Sequence, residues 1–200
     1  MAWEWLTAFS IAFGLIFVAE LGDKTQLIIL SLASKGYNSK KLALGAVCGF
    51  AVIVFVGGVL ALLLAQYIDL MWITLISGIV FVIIGLFQII SLIRNNEQEE
   101  SCEDEKVMKK SFSNAFAAGF IAIFTMELGD KTQVMTILLA ASSSSVFGTL
   151  VGSWVALSLL AVIGAFAGEW LQKRVPKRKI DWIAAVLFTA IGIFMVISAL

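Results

Sequence analysis

Apolar residues fill this chain in six stretches, near residues 5–34, 42–66, 71–93, 112–141, 147–172 and 180–200. A helix needs about 20 apolar residues to cross the hydrocarbon core of a bilayer, and each stretch has them. The first and fourth are longer than a crossing requires, so they are either strongly tilted or broken near an internal glycine. The chain is 60% hydrophobic and 14% charged, with mean hydropathy +1.00. A soluble domain of 200 residues cannot hide that much apolar surface. The expected fold class is an all-α integral membrane protein with six transmembrane helices. The start, Met1-Ala2-Trp3-Glu4-Trp5, lacks the basic lead of a cleavable signal, so the first stretch is expected to stay in the membrane.

Within this apolar background the string Glu-Leu-Gly-Asp-Lys-Thr-Gln occurs twice, at Glu20 to Gln26 and Glu127 to Gln133. Charged side chains at membrane depth are costly, and where they occur they mark ion pathways and substrate sites. The repetition extends beyond the motif. A shift of 107 also carries Gly45 onto Gly152, Gly57 onto Gly164, Ile84-Gly85 onto Ile191-Gly192, Phe87 onto Phe194 and Ser91 onto Ser198. The chain therefore divides into a first three-helix repeat over 1–94, an acidic linker over 95–111, and a second three-helix repeat over 112–200.

Three crossings per repeat is an odd number, so the second repeat enters the membrane in the opposite sense. The basic residues agree. Of the 14 lysines and arginines, Lys24 and Lys131 lie in the motifs. All others fall in three links: Lys35, Lys40 and Lys41; Arg94, Lys106, Lys109 and Lys110; Lys173, Arg174, Lys177, Arg178 and Lys179. These links share one side, which the positive-inside rule makes cytoplasmic. Two inverted three-helix repeats are expected, with both termini extracytoplasmic. Trp3, Trp5 and Trp72 suit the outer interface and Trp170 and Trp182 the inner one, while Trp154 lies deeper as core packing. Gly45-x-x-x-Gly49, Gly148-x-x-x-Gly152 and Gly164-x-x-x-Gly168 read as helix-packing surfaces. The linker carries Glu97, Glu99, Glu100, Glu103, Asp104 and Glu105 and reads as a solvated connection. Cys48 and Cys102 form neither a disulfide framework nor a metal quartet. Zero net charge gives no footprint for nucleic acid.

The motifs carry the chemistry. Glu20 and Asp23 are three apart and are therefore expected on one helix face, as are Glu127 and Asp130. If the two motif helices cross at mid-membrane, the four carboxylates converge, with Thr25, Gln26, Thr132 and Gln133 supplying neutral oxygens nearby. Gly22 and Gly129 permit close approach or local unwinding. An all-oxygen cluster suits hard divalent cations, and the absence of histidine from the chain disfavours zinc and copper. Four carboxylates with Lys24 and Lys131 total −2, which one divalent cation or two protons neutralise. A site that must be neutral to move through low dielectric can therefore exchange one for the other. Each lysine follows its glutamate by four, so Glu20–Lys24 and Glu127–Lys131 pairs are expected along an unbroken helix.

Two copies of Glu-x-Gly-Asp-(Lys/Arg)-(Ser/Thr), each on the first helix of a three-helix repeat, resemble the Golgi manganese/calcium–proton exchangers and their bacterial manganese exporters. The resemblance covers essentially the whole chain and neither motif departs from the pattern. It implies that Glu20, Asp23, Glu127 and Asp130 bind the cation, with Lys24, Thr25, Lys131 and Thr132 completing the motifs. It also implies a secondary transporter, not an enzyme, that exports Mn²⁺, or Ca²⁺, across the plasma (inner) membrane in exchange for protons. No cofactor is called for, since the cation is the substrate; the expected partners are the cation, protons and the lipid bilayer, with oligomeric state open. A cation channel or uniporter would use the same acidic ring but has no need of paired lysines or inverted repeats. An intramembrane aspartyl protease would use Asp23 and Asp130 as a dyad, but both sit in identical contexts without a glycine-rich lead.

Overall fold

The computed structural model describes residues 2–34, 36–94, 114–174 and 177–199. These residues form eight helices: α1 (Ala2–Glu20), α2 (Lys24–Ser34), α3 (Ser39–Tyr67), α4 (Leu70–Ile93), α5 (Ala115–Glu127), α6 (Lys131–Ala141), α7 (Val146–Arg174) and α8 (Lys177–Ala199). The linker over 95–111, with Cys102, and the link residue Lys35 lie outside the described residues, as do the side chains of Lys24 and of residues 167–181. Side-chain expectations for Trp170 and for the basic residues from Lys173 to Lys179 therefore fall outside as well.

Six continuous crossings are not what the chain forms. Five helices contain stretches long and apolar enough to cross a membrane: Trp3–Glu20, Ser39–Tyr67, Leu70–Ile93, Val146–Phe166 and Trp182–Ala199. The long segments expected at 5–34 and 112–141 are each split, the first into α1 and α2, the second into α5 and α6. Of the two alternatives raised by their length, the break is the one adopted. Its cause is local: Gly22 at φ 80° and Gly129 at φ 83° are left-handed, a conformation that cannot continue a right-handed helix and that glycine reaches without a Cβ penalty. Elsewhere the ends follow ordinary rules. Asn38 caps α3 by accepting from Lys41 N at 3.1 Å, and Asn114 starts α5 by accepting from Phe116 N at 3.0 Å.

Helices of each half rest mainly on the other half. α1 lies along α7, α5 along α3, and α4 along α8; α2 also packs on α7 and α6 on α3, while α3 barely meets its neighbour α4. Lipid is as apolar as leucine, so these contacts are held by close packing and hydrogen bonds more than by burial from water. Glycines make the closest ones. A Cβ on Gly45 would overlap the Phe116 carbonyl, and one on Gly152 would overlap the Phe9 carbonyl. Gly49 meets Ile123, Gly148 meets the Trp5 carbonyl, and Gly164 lies against the Gln26 backbone, as the small-residue surfaces led one to expect. On the α4–α8 seam a Cβ on Gly78 would lie 2.8 Å from the Gly192 carbonyl, and one on Gly192 2.6 Å from that of Gly78.

The offset of 107 returns in these contacts. Gly45 with Phe116 and Gly152 with Phe9 are the same pair moved by 107. Phe81 and Phe188, also 107 apart, touch each other with ring centroids 5.9 Å apart. Trp154 Nε1 donates to the carbonyl of its own counterpart Val47 at 3.2 Å, so the deep tryptophan is a hydrogen-bonded part of the core. Phe87 and Phe194, counterparts on the outer faces of α4 and α8, are 70% and 71% exposed. The buried core runs through Ile16, Ile29, Leu42, Phe50, Phe81, Ile123, Leu157 and Phe188, drawn from both halves.

Candidate functional site

Both helix breaks are built alike. Beyond Glu20, the Asp23 N–H donates back to the Glu20 carbonyl at 3.2 Å, and Gln26 N and Leu27 N donate to the Asp23 carbonyl at 3.1 and 3.5 Å. Beyond Glu127, Asp130 N reaches Glu127 O at 3.2 Å, and Gln133 N and Val134 N reach Asp130 O at 3.1 and 3.3 Å. Each glutamate thus ends one half-helix, and each aspartate opens the next. The expectation that Glu20 and Asp23 share a helix face is corrected: the helix stops between them, at the left-handed glycine.

An aspartate at an N-cap ordinarily accepts from the first turn of its helix. Asp130 has the N-cap backbone, φ −77° and ψ 169°, yet its side chain makes no capping bond. Its Oδ2 is buried without a hydrogen-bond partner among the described residues, and so is Oε2 of Glu127. Leaving buried carboxylate oxygens unpartnered is costly. Both glutamates are nearly sealed, Glu20 at 3% and Glu127 at 1% exposure.

The two motifs reach into one another. Thr25 Oγ1 donates to Glu127 Oε1 at 2.5 Å, and Thr132 Oγ1 donates to Glu20 Oε1. Lys131 Nζ lies 3.2 Å from Asp23 Oδ2 and 3.8 Å from Glu20 Oε1. Pairing of Lys131 with Glu127 along one helix is therefore also corrected, because the break removes the helical spacing and turns the lysine toward the other motif. Gln26 Oε1 accepts from Gly22 N at 3.0 Å and Gln133 Oε1 from Gly129 N at 2.6 Å, so both amide oxygens serve their own turns. Among the described residues no three acidic side chains stand close enough to share one ion in this conformation. Instead Lys131 bridges two carboxylates of the opposite motif.

A narrow cavity of ≈ 10 Å³ opens beside Glu20, about the room one water-sized sphere needs. Glu20, Thr25 and Gln26 form its polar wall, and Ile29, Phe50, Leu157, Leu160 and Ala161 its apolar wall. The apolar residues were not foreseen from the sequence. A signal for two of them was present: Phe50 and Leu157 are 107 apart, as expected of counterparts that meet between the halves. The site therefore combines buried carboxylates from two breaks, a lysine, two hydroxyl donors, and helix termini of both polarities, α1 and α5 ending and α2 and α6 beginning there. Discontinuous helices of this kind bind ions in secondary transporters.

The family described as divalent cation/proton antiporter GDT1 matches residues 8–96 and 115–200. The chain belongs to this family. Members are transporters, and with the apolar helices above this makes the GDT1 chain a multi-pass membrane protein. A GDT1-like protein of Synechocystis is 30% identical over 200 residues, covering 92% of this chain and 93% of that one. A Vibrio cholerae protein named "Putative manganese exporter" is 29% identical over 189 residues, covering 92% of this chain and 87% of that one. GDT1-like protein 5 of Arabidopsis thaliana is 24% identical over 217 residues, covering 94% of each. No solved structure matches the chain.

Proposed function

We propose that this GDT1 protein exports a divalent cation, Mn²⁺ in the first instance and Ca²⁺ as the alternative, in exchange for protons by alternating access. Glu20, Asp23, Glu127 and Asp130 are the cation ligands in this reading. The observation that carries it is the set of buried carboxylates at two matched helix breaks, with oxygens of Glu127 and Asp130 unpartnered. Membrane packing alone gives no reason to sink carboxylates there. The name of the Vibrio cholerae relative favours manganese and export.

α1 with α2, and α5 with α6, each make one broken crossing, so that six crossings form two inverted repeats related by a two-fold. The matched contacts at an offset of 107 support this reading. With the basic links cytoplasmic and both termini outside, α2 descends from the site toward the cytoplasm of the inner membrane. The cavity beside Glu20 is walled in part by α2 residues Thr25, Gln26 and Ile29, so it offers the cation a cytoplasmic approach. When the cation arrives, Glu20 and Asp23 exchange Lys131 for it; when protons arrive from outside, the carboxylates are neutralised and the cation leaves. Movement between the two states breaks and remakes the crossed Thr25–Glu127 and Thr132–Glu20 bonds, two of the polar ties between the halves. Small sliding of packed helices is one of the ways such transitions occur.

Proteoliposome flux tests the reading. Wild type should accumulate Mn²⁺ against its gradient when a pH gradient is imposed, and Glu20→Gln should not. Flux that merely equilibrates, whatever the pH gradient, would identify a channel or uniporter instead.

A further inference from the structure

Gln26 and Gln133 have one visible task, and it is not cation binding. Each folds back four residues so that Oε1 accepts the N–H of the motif glycine. The orientation is determined by chemistry: a backbone N–H can only donate, so the amide must present its oxygen there and its NH₂ elsewhere. For Gln26 the donor end is idle, since Nε2 is buried without a hydrogen-bond partner among the described residues, in a side chain 7% exposed. An NH₂ group cannot ligate a cation. The arrangement is a relative of the capping box, in which a glutamine at the third helical position returns to a backbone N–H at the helix start. Here it reaches one residue further out, to the left-handed glycine itself.

We infer that Gln26 and Gln133 are positioning residues that close each motif into a rigid turn and so set the spacing between Glu20 and Asp23, and between Glu127 and Asp130. The bond joins the left-handed glycine of the linking turn to the first turn of the following half-helix. Because it spans only four residues, it travels with its own motif and stays made in both access states. The threonine–glutamate bonds, by contrast, tie residues 102 and 112 positions apart and change with the state. Loss of the glutamine oxygen should therefore weaken cation binding and leave turnover alone.

The inference rests on the proposed cation site, and one experiment separates the two. Mn²⁺ uptake into proteoliposomes is measured against Mn²⁺ concentration for wild type, Gln26→Leu, Gln133→Leu and Gln26→Glu. Either leucine variant should raise KM about tenfold, the scale set by a buried N–H that loses its acceptor, with kcat within about twofold. Gln26→Glu keeps an acceptor at the same reach and should hold KM within about threefold of wild type. A leucine variant with unchanged KM, or a glutamate variant as impaired as leucine, overturns the positioning role. If neither leucine variant reaches the membrane, the glutamate variant decides: KM kept supports the role, and KM raised about tenfold removes it. Wild type without Mn²⁺ uptake would instead sink the transport reading itself.

Discussion

Lys131 Nζ lies 3.2 Å from Asp23 Oδ2, a carboxylate of the other motif. With Glu20 Oε1 at 3.8 Å from the same nitrogen, one lysine holds two of the four proposed ligands. Lysine and cation then compete for the same oxygens. Lys131→Ala should leave the Mn²⁺ KM unchanged or lowered and reduce kcat about tenfold, since release loses the group that replaces the metal; a charge-assisted bond has about that strength. Initial uptake rates across a Mn²⁺ series check it. A raised KM with normal kcat would show the lysine to be only an organiser of the empty site.

Asp130→Asn and Glu127→Gln should abolish proton-coupled uptake while leaving the protein at least as stable as wild type. Each residue carries a buried oxygen without a partner among the described residues, and exchange for a neutral isostere relieves that cost. Thermal unfolding in detergent, run beside the transport assay, separates the two effects. Lost transport with a lowered midpoint would point to a structural carboxylate.

The crossed hydroxyl bonds can be measured as a coupling. A double-mutant cycle of Thr25→Val with Glu127→Leu, each of which removes one partner of the bond, should return about 0.5–2 kcal/mol, the range for side-chain bonds between membrane helices. The matching cycle of Thr132→Val with Glu20→Leu should give a similar value. Coupling near zero in both would remove the tie between the halves on which the transport cycle depends.

Two kinds of glycine should respond differently to alanine. A Cβ on Gly129 meets nothing within 4 Å, so Gly129→Ala carries only the left-handed backbone penalty of about 1–2 kcal/mol. Gly129→Asn should lose less, because asparagine tolerates that conformation. Gly152→Ala places a methyl into the Phe9 carbonyl and forces α1 from α7, an overpacking cost of about 1–3 kcal/mol. Detergent unfolding of the three variants orders them; Asn equal to Ala at position 129 would mean the turn is not what the glycine supplies.

Legibility in the sequence varied with the range of the interaction. The motifs, their offset and the apolar spans are local or periodic, and the family match over 8–96 and 115–200 agrees with what those residues imply. The helix breaks were half legible. Excess length and an internal glycine raised them, but only the φ of 80° and 83° chose a break over a tilt. Partners were where helical spacing misled: Glu20 and Asp23 were assigned one face and Lys131 its own glutamate, since that rule holds only while the helix continues.

What the sequence by itself determined is the membrane setting, the twice-occurring motif at an offset of 107 and the identity of the polar residues set within it, because each follows from composition and spacing along one chain. Only the tertiary structure decided that α1 rests on α7 and α5 on α3, so that Thr25 meets Glu127 and Lys131 meets Asp23. These pairs depend on how two distant segments come to lie together. Contacts such as Gly45 on the Phe116 carbonyl hold that arrangement through close backbone approach, which no count along the chain reveals.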